Sequence, residues 1–180
     1  MHSAKLIFSA LLMSSASVAF AAGTESDTPP ETTSTTTECT DGQILDEAKD
    51  ACVDADQQSF NDDTRYDAVR ELAYAGEYDR ATAVIAVADN PEDPRFLNYR
   101  GFIARKTGNT DAAMGYYQAA LAQAPDYHLA RSYMGQGLAA TGDLDGAKVQ
   151  LREIAARGGK NTWSYFALKQ AIVSGTQSDY

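Results

Sequence analysis

The chain has 180 residues, with 15 Lys and Arg against 25 Asp and Glu and a formal charge of −10 at pH 7. That excess of acid repels phosphate backbones and anionic headgroups, so nucleic acid and membrane surfaces are poor candidate partners. The length suits one modest domain, and no second, catalytic one is expected within it.

Residues 1–21 read as a secretory signal peptide. Lys5 supplies a basic start, Leu6-Ile7-Phe8 and Leu11-Leu12-Met13 an apolar run, and Ala19-Phe20-Ala21 a small-residue cleavage pattern. Ser14, Ser15 and Ser17 interrupt a stretch already short of the ~20 apolar residues that a bilayer span needs, so no membrane insertion is expected after cleavage. Cleavage removes Lys5 and no acid, which leaves the mature chain still more negative. A periplasmic protein is expected, or a secreted one. Residues 22–38 hold seven threonines, the pair Pro29-Pro30 and no large apolar side chain. Such a segment buries too little surface to offset chain entropy and is expected to be a disordered linker.

Cys39 and Cys52 are the chain's two cysteines. In an exported protein, cysteines this close in sequence most simply form a disulfide, which defines a closed loop over residues 39–56. There is no Cys-x-x-Cys, no haem-attachment histidine and no further zinc ligand, so neither metal nor cofactor is expected. The loop's acids (Asp41, Asp46, Glu47, Asp50, Asp54, Asp56) lack the ligand order of a calcium loop. Asp41-Gly42 predicts a tight turn and Ile44-Leu45 a short extended stretch.

Beyond the loop the sequence repeats itself. Ala75-Gly76-Glu77-Tyr78, Thr107-Gly108-Asn109-Thr110 and Thr141-Gly142-Asp143-Leu144 recur with their glycines 32 and 34 residues apart, and five residues after each glycine stands Ala81, Ala113 or Ala147. A period near 34 predicts stacked helix-turn-helix units. Helices are predicted at 62–75 and 78–89, 95–107 and 110–123, 127–140 and 143–157. A last helix is predicted at 162–174, with Phe166, Ala167, Ala171 and Ile172 on one side, capping the exposed end. Gly108 and Gly142 are expected to end their helices in the left-handed cap. Thr110, Asp111 and Asp143 are expected to supply N-cap oxygens and favourable charge, and Pro91, Pro94 and Pro125 to stop helices.

Leu97, Gly101, Gly108, Ala113, Tyr117, Ala120 and Pro125 match the tetratricopeptide repeat slot by slot. Met134, Gly135, Leu138, Gly142, Ala147 and Leu151 do so again, and Leu72, Gly76, Ala81, Ile85 and Ala88 more loosely. The chain therefore resembles a small exported tetratricopeptide-repeat protein, and the runs Asn98-Tyr99-x-Gly101-Phe102 and Ser164-Tyr165-x-x-Leu168-Lys169 are similar to a little-characterised bacterial family of such proteins. The resemblance implies an all-α superhelix of about three helical hairpins plus the capping helix, within residues 62–180. Small residues are expected at helix crossings (Gly101 with Ala113, Gly135 with Ala147). Arg100 and Arg131 depart from the pattern, and their stems are expected to lie on apolar neighbours while the guanidinium reaches water or an acid.

In that architecture the first helix of each unit lines the concave face, where extended peptides usually lie. The side chains expected there are Tyr66, Arg70, Asn98, Phe102, Arg105, Ser132 and Gln136. Arginines in so acidic a chain point to a partner with an acidic or C-terminal carboxylate feature. The expected function is a non-catalytic adaptor for a protein or peptide. The alternative is a cell-envelope glycan or peptidoglycan binder that uses the Cys39–Cys52 loop, with the repeats as spacer. Catalysis is not expected, because His128 has no nucleophile or carboxylate pair around it and no phosphate loop or hydrolase motif is present. The partner and the oligomeric state are not written in the sequence.

Overall fold

The computed structural model describes residues 30–175. The signal-peptide expectation and the first part of the linker lie outside the described residues. The elements run α1 (Ser34–Thr37), β1 (Gln43–Asp46), β2 (Ala51–Asp54), α2 (Asp62–Tyr74), α3 (Tyr78–Ala86), α4 (Pro94–Lys106), α5 (Thr110–Gln123), α6 (His128–Ala140), α7 (Leu144–Ala156) and α8 (Trp163–Ser174), with a 3-10 turn at Gly159–Asn161 before α8. The helices form the all-α tetratricopeptide-type stack of three hairpins (α2/α3, α4/α5, α6/α7) closed by α8. Among the described residues no helix is long and apolar enough to cross a membrane.

One turn chemistry builds the repeat. At Gly76, Gly108 and Gly142 the backbone is left-handed, with φ of 83°, 86° and 88°. The next residue's N–H then bonds back to the helix, Glu77 to Leu72 O at 2.9 Å, Asn109 to Ala104 O at 2.8 Å and Asp143 to Leu138 O at 2.9 Å. Any other residue would need a strained φ at these positions. The side chains that cap the following helices are Asn109, which accepts from the Ala112 N–H, and Asp143, which accepts from the Gly146 N–H. The N-cap is thus Asn109 rather than Thr110 or Asp111. Pro94 likewise opens α4 instead of stopping α3, because its missing N–H is not needed in a first turn.

Helix α3 ends three residues before the predicted boundary. The Asp62 carboxylate accepts from the Asp89 and Asn90 N–H groups at 2.9 and 2.8 Å, so the chain turns to meet the start of α2. The crossings also differ from expectation in detail. A methyl group on Gly101 would meet the Tyr117 ring, and one on Gly135 would meet Leu168 of α8. Arg100 reaches an acid as expected, pairing with Glu92, whereas the Arg131 guanidinium donates to Pro125 O and Gln150 Oε1 and has Glu153 only at 3.9 Å. On α8 the buried side chains are Ser164, Ala167, Leu168 and Ala171, whereas Phe166 is 57% exposed, because it projects from the side opposite α6 and α7.

The linker expectation fails for its last residues, which form α1 and dock on α2. Glu71, buried in the apolar stripe of α2, accepts from the Thr33 and Thr36 N–H groups at 2.8 and 3.1 Å and from both threonine hydroxyls. Arg80 of α3 donates to the Thr35 and Thr36 carbonyls, so an anion sits at the amide end of α1 and a cation at its carbonyl end. Strands β1 and β2 pair antiparallel, Leu45 opposite Cys52, and Cys39 is joined to Cys52 with Cα atoms 5.3 Å apart. Ile44, Ala55 and Phe60 share a core with Ala68, Val69 and Leu72. The hairpin is therefore the cap of the solenoid's first unit and not a separate loop.

Candidate functional site

The side chains expected on the concave face divide sharply. Asn98, Ser132 and Gln136 are fully buried, Phe102 is 2% exposed and Arg105 4%. Tyr66 and Arg70 alone among them keep partial exposure. The correction has a physical cause in the curvature of the stack. Tyr74, at the end of α2, reaches past the middle unit to Tyr133 of α6, hydroxyl to hydroxyl at 2.8 Å. Phe102 lies between them, stacked on Tyr74 at 5.9 Å and tilted against Tyr133 at 5.1 Å. Trp163 closes the row edge-on to Tyr133. An aromatic wall therefore fills the space where a groove was expected.

Arg105 is part of that wall. Its guanidinium lies over the Phe102 and Tyr133 rings and its Nε donates towards the Tyr117 hydroxyl at 3.4 Å. Burial pushes the Tyr117 hydroxyl up to about 12, with Arg105 pulling the other way. Burial likewise holds Tyr99 and Tyr133 well above the usual phenol range, so these hydroxyls stay protonated at any working pH. Gln136 donates to Ser132 Oγ at 3.1 Å.

The open surface lies at the other end of α2. Between the hairpin and α2 is a cleft of about 800 Å³, walled by Pro30 and Glu31 before α1, by Ile44 to Lys49 on the hairpin, and by Ser59, Phe60, Thr64, Asp67, Ala68, Arg70 and Glu71. Glu71 is engaged by α1, and Asp46 is paired with Lys49 at 2.7 Å. Arg70 is the cation that α2 presents to the cleft. Burial opposes its charge, but the Tyr99 and Tyr66 hydroxyls and Asp67 together hold its guanidinium above the ordinary value. Its guanidinium also rests over the Tyr66 ring at 5.9 Å, so Tyr66 sets the direction in which Arg70 points. Apolar floor (Ile44, Phe60, Ala68) with a few polar groups around it is the usual make-up of a binding site.

Two further residues organise this end of the molecule, and the sequence reading missed both. Arg65, 2% exposed, donates to Ala55 O and Gln57 O at the exit of the hairpin and to Asp62 and Asp89 at the junction of the first unit. Glu71 anchors α1. The signal was there for Glu71: it lies three residues from Ala68 and next to Leu72, and a carboxylate in an apolar stripe requires a polar partner from elsewhere in the chain. His128 opens α6, and its Nε2 lies 3.2 Å from Arg157 O, just past the end of α7 in the same unit.

Family models described as tetratricopeptide repeat match residues 66–128 and residues 104–172. No curated protein and no solved structure matches the chain.

Proposed function

Because this chain belongs to the tetratricopeptide-repeat family, we propose that it is an exported, non-catalytic protein-interaction scaffold whose partner enters the cleft between the disulfide-closed hairpin and α2. The observation that carries the choice of surface is placement: Asn98, Phe102, Arg105, Ser132 and Gln136 are buried away from any opening, while Arg70, its side chain 13% exposed and 3.9 Å from Asp67, lines the cleft. A partly desolvated arginine beside tyrosine is the kind of pair that anchors interfaces, and it suits an acidic side chain or a chain-terminal carboxylate. Export is supported by the signal-like residues 1–21 and by the Cys39–Cys52 bridge, which persists in an oxidising compartment such as the periplasm.

The test is affinity capture from a cell-envelope extract with the mature chain beside its Arg70→Ala variant, both first shown to melt within a few degrees of each other. A protein enriched on the native chain and lost on the variant is the expected result. Equal capture by both would refute the cleft. The glycan reading uses the same cleft, which hydroxyls of Thr33, Thr35, Ser59 and Thr64 also line. It predicts retention on purified cell-wall material and no enriched protein.

A further inference from the structure

The two ends of the stack carry opposite charge. Residues 39–56 hold six acids against Lys49 alone, and that lysine is engaged by Asp46 at 2.7 Å. Asp50, Asp54 and Asp56 lie in β2 or within two residues of it, exposed, with no cation against any of them among the described residues. None of the three is a wall of the cleft. At the far end, residues 152–169 hold Arg152, Arg157, Lys160 and Lys169 against Glu153. Arg157 pairs with Asp126 and Glu153, which leaves Arg152, Lys160 and Lys169 exposed and without an acid. Helix α8 itself carries no acid. Its buried residues Ser164, Ala167, Leu168 and Ala171 share one side at about 3.6 residues per turn, so Phe166, Lys169 and Val173 centre the opposite side. Phe166 is 57% exposed and Val173 83%. The last helix therefore offers two apolar side chains around a lysine, uncovered by its own chain.

We propose that this outer face of α8 docks on the β2 side of the hairpin of a second copy, so that copies of the chain stack end to end. A net charge of −10 opposes contact between like surfaces of two copies. The basic α8 end is the exception, and the surface that complements it is the acidic hairpin at the other end of the same chain. Lys160 and Lys169 meet the carboxylates of Asp50, Asp54 and Asp56, while Phe166 and Val173 lose water against the hairpin. The contact joins two different surfaces, so every copy keeps one free end and the assembly is an open chain rather than a closed pair. Two apolar side chains fall short of the ~1,200 Å² that stable interfaces bury, so the association is weak and follows concentration and salt. The inference is independent of the cleft, since neither docking surface includes Arg70 or the floor beside it.

Sedimentation equilibrium of the mature chain tests this beside two variants, each blocked at one end and first shown to melt with the native chain. One is Phe166→Ser/Lys169→Gln. The other is Asp50→Asn/Asp54→Asn/Asp56→Asn, in which asparagine keeps the Oδ1 that Gln43 bonds at position 54. The native weight-average mass is expected to rise with concentration past that of a dimer. At about 1 M salt, where the screening length is about 3 Å, the association constant is expected to fall about tenfold, as the loss of a few exposed charge pairs would cause. Each variant alone is expected to stay monomeric. Their mixture is expected to form a 1:1 pair and stop there, because each supplies the end that the other lacks. A native chain that stays monomeric or stops at a dimer overturns the proposal, as does self-association that survives in either variant or a mixture that remains monomeric.

Discussion

Replacing Phe102 by alanine separates a packed wall from an open groove. The Phe102 ring is 2% exposed and touches Tyr74, Tyr99 and Tyr133, with the Arg105 and Lys106 cations over its face at 5.5 and 5.6 Å. Its removal deletes a fully buried ring from among side chains anchored on three different helices, which cannot collapse together to fill the space. Phe-to-Ala changes in such settings cost about 3–5 kcal/mol. For a domain of this size that corresponds to a fall in melting temperature of about 10–20 °C. A phenylalanine waiting on an open concave face would cost well under ~1 kcal/mol and leave the melt nearly unchanged. Thermal unfolding followed by circular dichroism decides between the two. A Phe102→Ala variant that melts within about 3 °C of the native chain would refute the burial argument and restore the groove.

Two glycines make a paired test of packing. Gly101→Ala places a methyl 2.5 Å from the Tyr117 ring, which is fully buried, so it should destabilise by about 1–3 kcal/mol despite the better helix former. Gly115→Ala meets nothing within 4 Å inside α5 and should stabilise by about 0.5–1 kcal/mol, both read from denaturant midpoints. Replacing Cys39 and Cys52 by serine should cost about 3 kcal/mol in the chain-entropy picture and raise hydrogen exchange first in β1, β2 and α1. Burial raises the Asp62 pKa, but the Asn90 and Asp89 N–H groups and Arg65 outweigh it and hold the carboxyl below its usual value. A depressed carboxyl stabilises the fold above the unfolded pKa near 4 and loses that contribution as pH falls through the folded one. Asp62→Asn should therefore flatten the acid limb of the stability curve below pH ~4 and leave its upper limb unchanged.

The repeats were legible because their punctuation is local. A glycine in the left-handed region, an N-cap at the next residue and an alanine at the crossing five residues on all act locally, so Gly76, Gly108 and Gly142 fixed the helix pairs, with every boundary within one residue except the end of α3, which falls three residues early. What was not legible depends on residues far apart. The shutting of the concave face follows from Tyr74 meeting Tyr133 across the whole middle unit, and no local pattern states how tightly three units curve. The docking of α1 follows from Glu71 and Arg80, each more than thirty residues away from the threonines it binds. A threonine-rich stretch reads as linker by composition, and only the anion and cation that wait for it on the first hairpin make part of it fold. Position in the repeat put Tyr66 and Arg70 on one face of α2, but it gave no sign of the hairpin wall that makes a cleft beside Arg70.

The central claim, that a partner enters beside Arg70, is tested most directly by photo-crosslinking in the cell envelope. A crosslinking residue at Asp67, 75% exposed by its side chain on the cleft rim, is compared with one at Lys148, 49% exposed on α7 far along the stack. The account predicts a discrete protein adduct from position 67 that is lost on adding Arg70→Ala, and none from position 148. The same adduct from both positions, or an adduct at 67 indifferent to Arg70, would contradict it.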